Sequence, residues 1–186
     1  MDMPWGDEKT VKFITNVGLI TSDGPIGPNI MAAEWTHHIS YSPGLIAVCL
    51  GPKKATLENI RKTREFGVNL ASVDQAVMAS VSGGSSGKDT DKIAALKELG
   101  FRFYKGGKIK VLMVQGAALN AECRLLKEIG LGDHITMVGE VVGASAGKQP
   151  LAYHQGRYWR LDTPMEKISQ KEREKVHEIV EKHRKS

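Results

Sequence analysis

The stretch Gly83-Gly84-Ser85-Ser86-Gly87-Lys88-Asp89 ends in a Gly-Lys pair of the kind that phosphate-binding loops use. In nucleotide hydrolases such a loop opens on a glycine, follows a strand, and carries a Ser or Thr after the lysine to hold the metal. Here Ser82 occupies the opening position, Asp89 follows the lysine, and the preceding segment reads as helix. That departs from the hydrolase pattern, although backbone amides and Lys88 still offer oriented donors to a phosphate. The alternative reading is a plain flexible loop. His37 and His38 are adjacent, so in a strand they point to opposite faces and cannot jointly chelate one ion; no metal site is expected. His134 follows Gly132-Asp133 at the start of a strand, where an imidazole either enters a cleft or sits at a sheet rim. There is no GxSxG elbow, and no pair of carboxylates stands out by spacing. So sparse an inventory of acids and bases suits a protein whose reactive group is a bound cofactor.

The 186 residues are 41% hydrophobic and 25% charged, the composition of a globular chain that hides roughly 70% of its surface without cross-links. The formal charge of +5 comes from basic residues interleaved with acids, which points to small anions and away from nucleic acid. Cys49 and Cys123 lie far apart with no CxxC or Cys/His cluster, and read as reduced core residues of a cytoplasmic protein. The longest apolar run, Leu45 to Leu50, falls well short of a membrane span of roughly 20 residues, so no membrane association is expected.

Residues 11–21 are rich in β-branched side chains and end at Ser22-Asp23-Gly24-Pro25, a strand followed by a turn. Leu45 to Leu50 predicts a strand buried on both faces. A helix follows over Thr56 to Arg61 with Thr56 as its cap, then a strand over Glu65 to Ala71. Asp74 predicts the cap of a short helix carrying Val77, Met78 and Val81, ahead of a loop over Ser82 to Gly87. A helix over Asp91 to Leu99 is closed by Gly100. Alternation in Leu119–Leu125 and Ile135–Val141 predicts long half-buried antiparallel strands. Arg157 to Leu161 adds another, and Thr163-Pro164-Met165-Glu166 reads as the capped start of a charged helix. Strands do not alternate regularly with helices, so the fold class is mainly β, a barrel or sheet of about six to eight strands with peripheral helices.

The order of segments resembles the flavin reductase-like family, built on the FMN-binding split barrel. The likeness rests on Asn29 to Trp35, Ser42-Pro43 with the Leu45 to Leu50 strand, Lys53 to Ile60, Phe66 to Ala71, Asp74-Gln75, Glu122-Cys123, and above all Gly132-Asp133-His134-Ile135-Thr136-Met137-Val138-Gly139-Glu140-Val141. It covers roughly residues 10–162, implying a split-barrel domain over 1–162 and a C-terminal helical extension over 163–186 that acts as a dimer arm or lid. The resemblance implies a Greek-key, antiparallel split barrel working as a homodimer with a flavin cleft between subunits. FMN is expected in preference to FAD, with NADH or NADPH as co-substrate and a flavin, ferric or protein acceptor. Asn29 belongs to this binding set. Met31, Ala32, Ala33, Glu34, Trp35 and Thr36 would run beside the isoalloxazine ring, offering backbone N–H groups to it. Lys53, Lys54 and Thr56 would hold the phosphate, and Asn69, Ala71 and Ser72 would face the ribityl chain. Ser82 and Lys88 would close over it, and His134 would help place the nicotinamide. Glu34-Trp35-Thr36 stands where many relatives carry small hydroxyl residues. The alternative of the same ancestry is an FMN electron carrier without a nicotinamide site.

Overall fold

The structure is a computed structural model and describes residues 1–185. In chain order its strands are β1 (Thr15–Asn16), β2 (Gly18–Ser22), β3 (Asn29–Ala33), β4 (Thr36–Tyr41), β5 (Gly44–Leu50), β6 (Glu65–Leu70), β7 (Phe103–Lys105), β8 (Leu112–Val114), β9 (Leu119–Leu131), β10 (His134–Ala146), β11 (Leu151–His154) and β12 (Arg157–Arg160). The helices are α1 (Ala55–Thr63), α2 (Ala76–Gly84), α3 (Lys92–Glu98) and α4 (Gln170–Lys182). The expected mainly β architecture is observed.

Seven strands form one antiparallel sheet in the order β3-β2-β6-β9-β10-β5-β4. Its outermost strands, β3 and β4, are consecutive in the chain and joined only by Glu34 and Trp35, so the sheet must curl until its two edges nearly meet. Inside the curl, Met31 and Ala33 of β3 share a core with Ile46, Val48 and Leu50 of β5, and with Phe66, Cys123 and Met137. Each such aliphatic contributes about 1.5–3 kcal/mol by leaving water. Gly139 permits the closest approach there: a Cβ at this position would run into the Phe66 ring and lie 2.8 Å from the Cys123 Cβ.

A second core lies outside the curl. Val17, Leu19 and Ile30 pack beneath Met78 and Ala79 of α2 and Ile93 and Leu96 of α3. Consequently it is β2 that is buried on both faces. The expectation of two-sided burial for β5 is corrected: only Ile46, Val48 and Leu50 point inward, while Leu45, Ala47 and Cys49 are half-buried on the outer face. Cys123 is in the core, its thiol pushed up to about 12 by burial and then by Glu122.

Local differences have local causes. The segment expected to be extended from residue 11 begins with a 3-10 turn over Thr10–Lys12 and becomes strand at Thr15. Asp74 does not cap α2: its carboxylate pairs with Lys148, and the N-cap is Gln75, which makes no side-chain bond to the helix. α2 runs on through Gly84, taking Ser82-Gly83-Gly84 out of the expected loop. The helix expected over Asp91 to Leu99 is observed as α3, with the Asp91 side chain capping it by accepting from the Ala94 amide and Gly100 following at φ +88°. The terminal helix starts later than expected: Ser169 and Glu172 form its capping box, and 161–169 are irregular. α4 buries no residue.

Asn69 ties β2, β6, β8 and β9 together. Its Nδ2 donates to the Leu19 carbonyl at 2.8 Å, and its Oδ1 accepts from the Val114 amide at 2.9 Å and from Asn120 Nδ2 at 2.7 Å. Asn69→Ala strands these buried partners and should lower stability by about 3 kcal/mol, measured by urea denaturation. A loss under about 1 kcal/mol would show that the network is not needed to hold these strands.

Candidate functional site

The functional residues gather where α1 begins, α2 ends and β3 forms the floor. Lys54 is extended at φ −73°, ψ 135° and caps α1 without a side-chain bond. Thr56, expected as the cap, lies inside the first turn, where its Oγ1 accepts from Asn29 Nδ2 at 2.9 Å. The opposite wall is the end of α2 and the loop after it. A cavity of about 390 Å³ between the walls is lined by Lys53, Lys54, Thr56, Ser82, Ser85 and Lys92, with Asn29 and Met31 on the β3 side. No carboxylate lines it among the described residues.

Lys92 sets its electrostatics. Only 2% exposed, its ammonium donates to the Ser82 and Ser85 carbonyls at 3.1 and 3.2 Å, which leaves one of its three donors uncommitted. Burial, and then the charge of Lys54, push its pKa down to about 8. The Ser82 hydroxyl is buried without a partner. Unneutralised cations, an orphaned hydroxyl and the first amides of α1 are the donor set of an anion site.

Ala32 and Gly83 line both this cradle and a second cavity of about 360 Å³, bounded by Trp5, Asn16, Ala33, Glu34, Tyr153 and Tyr158. A Cβ on Gly83 would lie 3.4 Å from that of Ala32, so small residues keep the passage open. The Glu34 carboxyl is raised above its ordinary range by burial.

At the end of the crossover, Trp35 is 45% exposed and its ring meets that of His134 at 4.6 Å and 50°. The His134 Nδ1 lies 2.7 Å from Asp133 Oδ1; that hydrogen bond and the imidazole charge hold Asp133 below the usual carboxylate range.

Of the residues singled out by sequence, Asn29, Met31, Ala32, Lys53, Lys54, Thr56 and Ser82 line the cradle, and Ala33 and Glu34 line the second cavity with Ala32. Others lie elsewhere. Trp35 and His134 pair beside the crossover and line neither cavity. Thr36 is buried, its hydroxyl donating to the Ala33 carbonyl at 3.1 Å. Asn69 is consumed by the network described above, Ala71 belongs to the outer core, and Ser72 is buried with its amide on Gln75. Lys88 is paired with Glu58. His37 and His38 are exposed on β4. Sequence reading missed Lys92, whose only signal was its place one residue after a helix cap, and the tyrosines of β11 and β12, which carry no motif.

The Lys92 pKa lies below that of an unfolded lysine. Burial of its charge therefore costs stability at pH below 8, and the cost fades between pH 8 and about 10.5 as only the unfolded chain keeps the proton. Relative to Lys92→Met, the ligand-free protein should gain stability across this window in denaturation curves. A parallel pH dependence of the two proteins would show that the ammonium is not desolvated.

Residues 10–162 match the family model described as flavin reductase like domain. An uncharacterized protein of Archaeoglobus fulgidus is 31% identical over 64% of the chain, and one of Pyrococcus abyssi 30% identical over 61%. The chain spans 66% and 63% of the length of these two relatives. The reductase component of a 4-nitrophenol 4-monooxygenase/4-nitrocatechol 2-monooxygenase from Rhodococcus opacus is 30% identical, covering 78% of this chain and 74% of its own. Among solved structures, a flavin reductase in its native state aligns with TM-score 0.73 and 27% identity, over 88% of this chain and all of that one. The flavoredoxin of Desulfovibrio vulgaris shares the fold at TM-score 0.75 and 22% identity, over 91% and 98%. The match over most of the chain, with a fold shared along its length, makes this protein a member of the flavin reductase-like family.

Proposed function

We propose that the chain binds FMN and transfers hydride from NADH or NADPH to it, passing the electrons on to a second flavin, a ferric chelate or a protein acceptor. The observation that carries this reading is the cradle: three lysines, an orphaned buried hydroxyl and open helix amides, with no carboxylate facing them among the described residues. Such a set fits the dianionic monoester of FMN. The reductase component from Rhodococcus opacus and an NADH-dependent FMN reductase of Streptomyces nodosus, 28% identical over 68% of the chain, support the redox assignment.

In this reading Lys53, Lys54 and Lys92 neutralise the phosphate, Ser82 donates its free hydroxyl, and Asn29 fixes Thr56 at the helix start. Ala32 and Gly83 admit the ligand close to the backbone, and the main chain of residues 31–36 offers neutral amides to the ring edge. When bound, FMN supplies a two-electron acceptor that no side chain of the protein provides. Trp35 and His134 wall the ring and orient the visiting nicotinamide. The Asp133 carboxylate beside Nδ1 holds the His134 ring in its orientation. Orientation alone supplies much of the rate of such a transfer, in keeping with a site holding few acids or bases.

The edges of the curled sheet suit a split barrel, and the half-buried outer face of β5 with exposed Trp35, Ile39 and Leu131 nearby suits a homodimer. In the same reading the extension beyond residue 162, whose α4 exposes Val176, Ile179 and Val180, is an arm across that dimer or a lid. Two unpaired cysteines suit the cytoplasm, and no helix among the described residues is long and apolar enough to cross a membrane.

Purified protein should take up FMN, and anaerobic mixing with NADH or NADPH should remove its yellow absorbance at turnover rates; FMN uptake with indifference to both nucleotides would instead mark an electron carrier. Lys53→Ala with Lys54→Ala, two exposed lysines whose loss strands no buried group, should weaken FMN binding by more than about tenfold with little change in melting temperature. Undiminished affinity would remove the phosphate from this cradle.

A further inference from the structure

The second cavity has a polarity opposite to that of the cradle it adjoins. Its walls are aromatic, from Trp5, Tyr153 and Tyr158, with the two tyrosine rings 5.7 Å apart and tilted by 52°. Among the described residues no lysine, arginine or histidine lines it, and Glu34 is its one charged group. Burial is the sole cause of the raised Glu34 carboxyl, so no nearby cation offsets it. Its charge reaches Tyr153, whose hydroxyl is raised by burial and then by Glu34. Asn16 adds a second electron-rich group: Nδ2 is spent on the Thr36 carbonyl, while Oδ1 is buried without a partner.

The main chain holds this carboxylate in place. Glu34 is half of the two-residue crossover, its carbonyl accepts from the Thr36 amide at 3.1 Å, and the Thr36 hydroxyl donates to the Ala33 carbonyl at 3.1 Å. Ala33 packs in the inner core and Thr36 is buried, which pins the backbone on either side. A fixed charge in a half-desolvated place acts through a low effective dielectric, so whatever enters the cavity feels it.

In the flavin reading, a phosphate in the cradle leads the ring past Ala32 and Gly83 into this cavity. The arriving hydride carries two electrons and one proton. A C–H bond of the donor breaks, an N–H bond of the ring forms, and a neutral ring becomes an anion. A fixed negative charge hardly affects the neutral ring and opposes the anion. We infer that the Glu34 side chain lowers the reduction potential of the bound flavin, so that its electrons pass on to an acceptor more readily than they arrive. The inference rests on the flavin reading and adds to it a task for this side chain, beyond the main-chain amides of the same segment.

The test measures the midpoint potential of protein-bound FMN by anaerobic titration against indicator dyes at about pH 7.5, well above the ordinary carboxyl range. Affinity for oxidised FMN is followed alongside by quenching of flavin fluorescence. Glu34→Gln and Glu34→Ala should each raise the potential by about 30 mV or more, which is a tenfold change in the ratio of reduced-state to oxidised-state affinity. Their affinity for oxidised FMN should stay near that of the wild type. Glu34→Asp keeps the charge and should keep the potential close to the wild-type value. Glu34→Gln and Glu34→Ala proteins that hold FMN at the wild-type potential would overturn the inference while leaving the flavin reading intact. So would a Glu34→Asp protein that shifts as far as they do, or variants that no longer take up FMN when the wild type does, since Glu34 would then shape or hold the ring without tuning it. Wild-type protein that takes up no FMN would remove the flavin reading, and the inference with it.

Discussion

A lysine ammonium buried to 2% exposure with no carboxylate beside it among the described residues is the constraint around which this end of the molecule is organised. Two carbonyls at the end of α2 partly solvate Lys92, and the negative end of the helix adds to them. Neither removes the net charge, which Lys53 and Lys54 enlarge. An anion that enters is thus exchanging bulk water for a prepaid field, and its binding energy includes relief of a cost that the folded chain already carries.

The scaffold explains how so unfavourable an arrangement persists. The inner core of the curled sheet and the outer core under α2 and α3 bury separate sets of large aliphatic side chains. Both are anchored on β2 and β3, and β3 floors the groove. Lys92 sits on α3 beside Ile93, and α3 is held by Ile93 and Leu96 in the outer core. Apolar packing one residue away thus fixes the position of the unpaired charge.

Much of this was legible in the sequence. Alternation in Leu119–Leu125 and Ile135–Val141 located β9 and β10, and the Lys53 to Ile60 motif located the start of α1. The misreadings share a cause: they concern choices made by distant partners. Thr56 has a capping residue's chemistry, yet Asn29, 27 residues away, claims its hydroxyl. Asp74 has the same chemistry and is taken by Lys148. Asn69 lies in the strand expected for it, and its side-chain amide bonds to β2, β8 and β9. Lys88 ends the glycine-rich stretch, yet α2 extends through Gly84, Lys88 pairs with Glu58, and it is Lys92 that lines the cavity. Tyr153 and Tyr158 have no local pattern at all, since only the pairing of β11 with β12 sets them side by side.

The two-residue crossover between β3 and β4 limits how the site can diversify. Glu34 and Trp35 close the curl, and they also supply one group to the aromatic cavity and one ring to the His134 pair. An insertion there would spread the edges of the sheet and part the two groups at once. The sheet thus fixes the length of this junction, and only the side chains at positions 34 and 35 can change without moving the strands they join.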